Sequence, residues 1–435
     1  MKRSDPRSRD ALFRDGNFRW LFAGSLISQL GDQFTLIALP WLALKMTGDT
    51  LVLGTVLALL GVPRALFILI GGAFVDRHSP KRVLMLSKYA STVLLGLLAA
   101  LTLSGHPDLR FVYALALAIG VASAFSLPSA TSILPTVMPR ELLGQANGLM
   151  MGVRQLSTFA GPLLAGLLIA VFGDATAATQ SRDYTGIGIG MAFAFDAASF
   201  AFSAWTLTRV RTHAAGTPSA PAQMQSMWRS VADGLRYCWG DNSLRVCFCY
   251  WAAVAFFITG PIQVAMPVLA SHVGGSASAY GMLAGAYGAG TLIGMAFCGI
   301  RPGFRIGSFG TTVLIFDAAV GLLFMPLGVI GAVWHGVLLL LAIGALGGFL
   351  QVNIFTWLQR YVAPAMLGRT MALFMFIFMG IAPMSSSVTG WLMRDVTLQQ
   401  LFAVSGGLLV GIVLLSFALS GMRSVVDAGT AAQGR

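Results

Sequence analysis

The sequence has little charge for its size. Only 10% of its 435 residues are charged, whereas 56% are hydrophobic. Soluble domains carry about 25% charged residues. Glutamate, which covers the wet faces of soluble helices, occurs once, at Glu141. A chain this apolar needs a bilayer to cover its surface, so the composition predicts a membrane protein and excludes a soluble enzyme.

Cysteine and catalytic motifs are also scarce. The four cysteines form no C-x-x-C pair, and no His/Cys spacing is typical of a metal site. The sequence contains no G-x-x-x-x-G-K-S/T, H-E-x-x-H or G-x-S-x-G motif. We therefore expect no cofactor, no metal and no enzymatic activity, although an intramembrane enzyme stays open. The first 19 residues are polar and the apolar run after them is long, so we expect no cleavable signal peptide.

Apolar runs of about 20 residues are long enough to cross a membrane as helices. Twelve such runs predict an all-α membrane protein with twelve transmembrane helices. They lie near 18–45, 50–75, 82–104, 110–136, 145–172, 186–208, 245–271, 279–300, 308–330, 334–360, 367–392 and 398–421.

The twelve runs fall into two groups of six. We predict a cytoplasmic N-terminal segment 1–17, a first bundle 18–208, a linker 209–244, a second bundle 245–421 and a tail 422–435. The linker has room for a short interfacial helix around 227–239. At an offset of 227 residues Gly54 matches Gly281 and Gly72 matches Gly299, and Pro40, Pro267, Gly61 and Gly288 follow the same offset. Two parallel six-helix repeats are typical of a carrier.

The formal net charge of +12 predicts orientation rather than nucleic-acid binding. Most Lys and Arg residues lie in the N-terminal segment, the linker and alternate loops. The second loop alone is assigned four of them, Arg77, Lys81, Arg82 and Lys88. Positive residues stay on the cytoplasmic side. We therefore predict a multi-pass protein of the bacterial inner membrane with both termini in the cytoplasm.

The second loop carries the most specific motif. It runs from Gly72 through Asp76 and Arg77 to Lys81 and Arg82, and it resembles the G-x-x-x-D-R-x-x-x-R/K-R/K signature of the major facilitator superfamily. The resemblance implies a conformational latch formed by these five residues.

In that latch Asp76 would cap the N-terminus of the eleventh span, near Leu367, where free N–H groups favour an anion. This sequence departs from the signature, with Ser79 for a glycine and Pro80 for a basic residue. The alternative is a loop that only sets topology.

The fifth span contains Gly161-Pro162 and, four residues after the proline, Gly166. This resembles the G-P-x-x-G-G motif of exporters in the same superfamily, with Ala165 in place of the first glycine of the pair. Proline and glycine bend membrane helices and allow close packing. The motif therefore implies either a determinant of export or an ordinary packing kink.

Four further segments are similar to the macrolide-efflux and enterobactin-exporter branch of the superfamily. They are Gln29-Leu-Gly31-Asp32, Thr47-Gly48, Ala146-Asn147-Gly148 and Asp196-Ala-Ala-Ser199-Phe200. This resemblance implies a monomeric exporter of bulky amphipathic molecules that usually exchanges them for protons. The expected partners are a small-molecule substrate, protons and membrane lipid, with no nucleic acid.

Charges within membrane spans are costly and mark functional candidates. Asp32 is the best candidate to carry a proton or contact substrate, because the first helix lines the cavity in the related fold; a static ion pair with Arg64 is the alternative. For Arg154 we weigh structural pairing with a carboxylate against contact with an anionic substrate. Asp196 and Asp317 are interpreted as structural.

Polar residues on several spans are candidates to line a cavity. They are Gln29, Gln33, Gln263, Gln351 and Asn353, with Trp357 and the aromatic residues Phe256, Phe257, Phe374 and Phe376 beside them. Amphipathic ligands are held by many apolar groups and few polar ones. The alternative is that the aromatic side chains pack against lipid or other helices.

Three functions follow from these predictions. The first is a proton-coupled exporter of an amphipathic compound. The second is a lipid or siderophore transporter with different coupling. The third is a receptor that uses the fold of a carrier without transporting anything.

Overall fold

In the computed structural model, every described secondary-structure element is helical. The structure describes residues 12–77, 79–105, 107–139, 141–173, 186–211, 224–301 and 303–425. The helices are α1 Gly16–Thr47, α2 Thr50–Arg77, α3 Pro80–Leu103, α4 Leu109–Val137, α5 Leu143–Val171, α6 Ile187–Arg209, α7 Met224–Gly240, α8 Asn242–Val273, α9 Ala277–Ile300, α10 Phe309–Val329, α11 Val333–Tyr361, α12 Pro364–Leu392 and α13 Leu398–Leu419.

Twelve of these helices are the predicted spans. Eleven of the described helices are long and apolar enough to cross a membrane, namely α2–α6 and α8–α13. The twelfth, α1, has 32 residues and is less apolar because Gln29, Asp32 and Gln33 interrupt it. The sequence therefore predicted the fold class correctly, with helix ends within a few residues of those observed.

The helix ends follow local rules. Pro80 occupies the first turn of α3, where its missing N–H would have no partner in any case. Asp241 caps α8 by accepting a hydrogen bond from the Leu244 N–H at 3.0 Å. Thr397 and Gln400 form a capping box at the start of α13.

The helix α7 lies in the linker, where the sequence has room for a short interfacial helix around 227–239. Its Asp233 carboxylate lies 3.4 Å from the Arg369 guanidinium at the start of α12. Gly234 provides the close approach, because an added Cβ would lie 3.1 Å from the Arg369 Cβ. The end of the linker is thus attached to the second half of the sequence.

The described contacts divide the chain into two compact units. Unit 1 contains Met1–Leu42, Leu59–Ala222 and Ser276–Gly281, and unit 2 contains Ala43–Ala58, Gln223–Gly275 and Met282–Arg435. Each unit thus includes a short piece from the opposite half of the sequence. In unit 1 that piece is the start of α9, and in unit 2 it is the end of α1 with the start of α2.

Two glycine crossings hold these short pieces. In unit 1, Gly166 of α5 meets Gly281 of α9, and a Cβ on Gly166 would lie 2.9 Å from the Gly281 Cα. In unit 2, Gly54 of α2 meets Gly390 of α12, and a Cβ on Gly54 would lie 3.1 Å from the Gly390 Cα. Real Cβ atoms need more room than this, so only glycine permits these helix contacts.

Aromatic side chains fill the core of unit 2. Phe309 stacks on Trp357 with ring centroids 4.7 Å apart, and Trp251 meets Phe374 edge to face at 5.4 Å. Trp251, Trp357 and Phe309 are almost fully buried. Trp357 and Phe374, which we considered as cavity residues, therefore belong to this core.

Both α8 and α12 contain one π-helical turn. The turns are Ala255–Thr259 in α8 and Ile377–Ile381 in α12. Ser385 of α12 donates a hydrogen bond to the Phe256 carbonyl, inside the π-helical turn of α8. A π-helical turn displaces carbonyls from the regular pattern, and a serine on a neighbouring helix satisfies one of them here.

Candidate functional site

Five ionisable side chains lie in the middle of the spans of unit 1. They come from five different helices: Asp32 of α1, Arg64 of α2, Lys88 of α3, Arg154 of α5 and Asp196 of α6. We call them the charge cluster. Intramembrane charges are rare and usually functional, so this cluster is the candidate site.

Asp32 is the accessible carboxylate of the cluster. Its side chain is exposed, yet it lies within electrostatic range of Lys88, Arg64 and Arg154. Three cations from three other helices therefore act on the Asp32 carboxylate. The role of Asp32 in carrying a proton or contacting substrate stays a prediction.

Lys88 is the residue that sequence reasoning misplaced. The prediction that it belongs to the second loop is wrong, because α3 begins at Pro80 and Lys88 lies in its third turn. Its side chain is only 8% exposed. The ammonium group donates a hydrogen bond to the Ser28 hydroxyl at 2.8 Å and lies 4.4 Å from the centre of the Phe200 ring. Such partners offset part of the cost of burying a charge.

The helical periodicity of the sequence could have identified Lys88 as an inward-facing residue. The buried residues of α3 recur at three- and four-residue steps, at Leu84, Lys88, Ser91, Leu95 and Leu98. A lysine in register with such a stripe points inward. The neighbouring Lys81 and Arg82 concealed this signal, because they made Lys88 look like part of a basic loop.

Asp196 joins α1 to α6. Its carboxylate accepts hydrogen bonds from the Thr35 hydroxyl of α1 and, at 3.1 Å, from the Ser199 hydroxyl of its own helix. Gly31 makes room for this contact, since an added Cβ would lie 2.7 Å from the Ser199 Cβ. Asp196 is 1% exposed. This placement supports a structural role for Asp196, with Gly31 of α1 packed against it.

The two arginines differ in their surroundings. Arg64 is half-buried, and its Nε is enclosed with no hydrogen-bond partner among the described residues. Arg154 is exposed. Both lie within electrostatic range of Asp32 and of each other. Both arginines therefore act on Asp32, as Lys88 does.

Unit 2 holds one buried acid among its described residues. Asp317 of α10 is 7% exposed and accepts a hydrogen bond from the Tyr250 hydroxyl of α8 at 2.8 Å. Asp317 has no charged partner in the described hydrogen bonds and ion pairs. The contact supports the structural interpretation.

The polar residues predicted to line a cavity are placed differently from one another. Gln263 and Gln351 are exposed, and Gln29 and Gln33 are half-buried. Gln263 also accepts a hydrogen bond from the Ser386 hydroxyl at 3.1 Å. Asn353 is 4% exposed and accepts a hydrogen bond from Arg305, so its amide group is turned into the bundle.

The residues of the predicted latch are described only in part. The helix α2 passes through Gly72, Asp76 and Arg77, but their side chains lie outside the described part of the chain. Lys81 is half-buried and donates a hydrogen bond to the Val210 carbonyl at the end of α6, at 2.7 Å. Arg82 is exposed.

The exporter-like motif has clear packing partners. Gly161 lies against the side chain of Gln33 on α1, and Gly166 forms the crossing with Gly281 on α9. Pro162 is buried between them. The motif thus brings α5 into contact with α1 and α9.

The crossing between α2 and α12 carries a charged clasp. Arg394, just beyond α12, forms a bidentate ion pair with Asp49, with Arg394 Nε 3.2 Å from Asp49 Oδ1. The Thr50 hydroxyl donates to the Gly390 carbonyl at 2.9 Å. The hydrogen bonds from Arg394 hold the pKa of Asp49 below its usual value.

Comparison with known proteins supports this description. A family profile, Major Facilitator Superfamily, matches residues 21–387. The multidrug efflux pump Tap of Mycolicibacterium fortuitum is 28% identical over 232 residues, which is 52% of this chain and 52% of Tap. The match thus covers about half the length of that pump. The enterobactin exporter EntS of Citrobacter koseri is 25% identical over 360 residues, 81% of this chain and 79% of EntS.

Solved structures show the same fold. The nucleoside transporter NupG superposes with a TM-score of 0.69 at 14% identity, covering 92% of this chain and 98% of NupG. A bacterial homologue of the iron transporter ferroportin gives a TM-score of 0.68 at 14% identity, covering 93% of this chain and 98% of the homologue. The family and these proteins are transporters, so the prediction of a non-enzyme is confirmed. With its many apolar helices this multi-pass membrane protein belongs to the major facilitator superfamily.

Proposed function

We propose that the protein exports small amphipathic molecules in exchange for protons, by alternating access. The observation that carries the proposal is the position of Asp32, which is exposed and yet within electrostatic range of Lys88, Arg64 and Arg154. The similarity to the efflux pump Tap and the exporter EntS supports the outward direction.

In this proposal, charge couples the binding of a proton to the binding of the substrate. Ionised Asp32 offsets one of its cationic neighbours, and protonation removes that offset. Proton binding and substrate binding at the cluster therefore change each other's free energy. Exchange requires that proton binding and substrate binding weaken each other, and a substrate with positive charge meets this condition because protonation makes the cluster more positive.

The direct test is substrate transport into inside-out membrane vesicles with and without a pH gradient. Uptake into these vesicles corresponds to efflux from the cell. The substrates are ethidium and erythromycin, and proton movement is followed with a pH-sensitive dye. Asp32→Asn is expected to be produced at normal levels but to lose efflux driven by the gradient. Asp108→Asn is the matched control, because Asp108 is exposed in a loop and caps α4. Normal gradient-driven efflux by Asp32→Asn would remove Asp32 from the mechanism.

Siderophore export is the second candidate, and the match to EntS over 81% of this chain favours it. Untargeted comparison of the growth medium under iron limitation, with and without the gene, separates the two candidates. A secreted iron chelator that disappears on deletion would favour the siderophore. Unchanged chelator with raised sensitivity to toxic amphipathic compounds would favour the drug exporter. Liposomes that move no substrate under any ion gradient would favour a receptor.

The proposal includes the moving parts predicted from the sequence. The two halves, 18–208 and 245–421, would move so that the substrate site opens to each side of the membrane in turn. The linker 209–244 would connect them. Asp76 and Arg77 would latch one state at the start of α12, while Lys81, in the first turn of α3, contacts the end of α6. Both termini would be cytoplasmic, in the inner membrane, which reporter fusions at each terminus would test.

A further inference from the structure

A groove on the surface of unit 1 lies between α3 and α4 and has a volume of about 520 Å³. Four of its lining residues are alanines, Ala90 of α3 and Ala114, Ala118 and Ala122 of α4. Small side chains leave open the space that larger ones fill where helices pack side by side. Leu86, which also lines the groove, is 68% exposed. The groove is therefore open to the surroundings of the protein, which along a membrane span are lipid.

The lining of the groove suits an apolar occupant. Ser87 is the one polar residue among the described residues that line it. The Ser87 hydroxyl donates a hydrogen bond to the Ala122 carbonyl at 2.6 Å and lies 2.6 Å from the Ser126 hydroxyl. Because these contacts between α3 and α4 already satisfy Ser87, the groove offers its occupant hydrocarbon contacts. A hydrocarbon chain fits this lining better than a polar molecule does.

The length of the groove fits a single acyl chain. Its lining on α3 runs from Val83 to Leu94, which is about 17 Å at the rise per residue of an α-helix. The hydrocarbon core of a bilayer is about 30 Å thick, and one leaflet contributes half of it. A lipid chain from one leaflet can therefore lie along the groove from end to end.

The end of the groove at the start of α3 is basic. Arg82 lies in the first turn of α3 and is exposed, and Lys81 precedes it. The Arg82 side chain shares one face of α3 with Leu86 and Ala90, because residues four apart lie on the same side of a helix. The sequence of α3 contains no acidic residue. Arg82 therefore extends one wall of the groove and adds a positive charge beyond its apolar part.

The opposite end of the groove is less basic. Arg110 is exposed at the start of α4, four residues before Ala114. Asp108 caps the same helix, and its carboxylate accepts a hydrogen bond from the Arg110 backbone N–H at 2.8 Å. The carboxylate offsets the positive charge at this end. The start of α3 is thus the better place for an anionic group.

We propose that the groove binds one acyl chain of an anionic phospholipid, with the phosphate of its headgroup on Arg82. A guanidinium group suits a phosphate because its planar donors match two of the oxygens. The net negative charge of the lipid adds attraction to Arg82 and Lys81. The chain fills the space that the alanines leave and stabilises the contact between α3 and α4. The inference is independent of the transported substrate, since none of the described lining residues belongs to the charge cluster.

Photolabelling of the purified full-length protein in phosphatidylcholine nanodiscs tests the proposal. The probes are a phosphatidylglycerol and a phosphatidylcholine with the same acyl chains, one of which carries a diazirine that labels neighbouring atoms on illumination. Mass spectrometry of peptides locates the label. We expect the phosphatidylglycerol probe to label the lining residues of α3 and α4 about fivefold more than the phosphatidylcholine probe does, as for one basic residue near a membrane surface.

Two variants fill the groove with a side chain of the protein. Ala118→Phe is expected to remove most of the labelling of the groove by both probes. Val93→Phe is the matched control, because Val93 of α3 is 61% exposed and does not line the groove. Ala90→Leu fills the same space more mildly, which keeps the test decisive if Ala118→Phe is unstable. Phosphatidylglycerol should raise the melting temperature of the wild type and of Val93→Phe, but not that of the filled variants.

Three further variants locate the headgroup. Arg82→Gln is expected to leave the groove labelled but to reduce the preference for phosphatidylglycerol to near unity. Arg82→Lys should keep most of the preference, because it keeps the charge. Arg110→Gln is the matched control at the other end of the groove and should not change the preference.

Equal labelling of the groove and of the surface around Val93 would overturn the proposal, as would equal labelling of the groove by the two probes. Loss of the preference in Arg110→Gln but not in Arg82→Gln would overturn the position of the headgroup. A stable dimer that Ala118→Phe dissociates, as measured by light scattering, would assign the groove to a second copy of the chain and overturn the assignment to lipid.

Discussion

The two glycine crossings have the same backbone contact but different surroundings. Gly54 and Gly281 are related by the offset of 227 residues that relates the halves, and each meets a glycine on a helix from the other half of the sequence. The α2–α12 crossing also has the clasp between Asp49 and Arg394. The α5–α9 crossing has none, because 158–171 and 274–290 contain no charged residue. The two crossings therefore share the helix contact, whereas only the α2–α12 crossing has an ion pair beside it.

The largest expected effect comes from filling either crossing. Gly54→Val and Gly166→Val place a branched side chain where a Cβ already clashes with backbone. Each should destabilise the protein by about 1–3 kcal/mol, as overpacking does, and should reduce transport. Thermal unfolding in detergent measures the effect. Gly96→Val is the control, since nothing lies within 4 Å of a Cβ at Gly96. A large loss at only one crossing would show that the two contacts are not equivalent.

Removing the clasp should have a smaller effect, confined to one crossing. Arg394→Gln is expected to lower the melting temperature slightly at low salt and less at high salt, because exposed ion pairs are weak and screened. The charge swap Asp49→Arg with Arg394→Asp should restore part of the loss that each single swap causes. Equal melting temperatures for all these variants would mean that the clasp contributes nothing measurable.

Building the same ion pair at the α5–α9 crossing tests whether the two crossings are structurally equivalent. Ser276 corresponds to Asp49 by the offset of 227 residues, and Ala170 lies four residues after Gly166, as Arg394 lies four residues after Gly390. Ser276→Asp with Ala170→Arg should add a small, salt-sensitive stabilisation to the α5–α9 crossing. Aspartate can also keep the hydrogen bond that the Ser276 hydroxyl accepts from the Ala279 N–H at 3.2 Å. A stabilisation that is the same at low and high salt would show that no ion pair had formed.

The smallest expected effect is the pH dependence of the clasp. The pKa of Asp49 is lowered in the folded protein by the hydrogen bonds from Arg394. The clasp is therefore fully stabilising above the ordinary pKa of an aspartate, and its contribution is lost as the pH falls through the lowered value. The difference in melting temperature between wild type and Asp49→Asn should be constant near neutral pH and shrink under acidic conditions. A difference that grows with acidity would contradict the assigned pKa.

The sequence predicted the helices well because each span depends on local composition. The limits of α3 and α6, for example, follow from apolar length and flanking charge. The charge cluster was only partly predictable. Asp32, Arg64 and Arg154 were recognisable because each is a charged residue within an apolar run. Lys88 adjoins a basic loop, and only its spacing from the other buried residues of α3 identifies it as an inward-facing residue. The offset predicted that Gly54 and Gly281 are equivalent. It did not predict their partners Gly390 and Gly166, which lie on distant helices.

The π-helical turn of α8 has a consequence for the residues that follow it. A π-helical turn holds one residue more than an α-helical turn, so every later side chain is rotated by about 100° relative to an uninterrupted helix. Gln263 lies four residues after Thr259, where the turn ends. Deleting one residue from Ala255–Thr259 would therefore swing Gln263 to another side of α8 while leaving Trp251 in its core position.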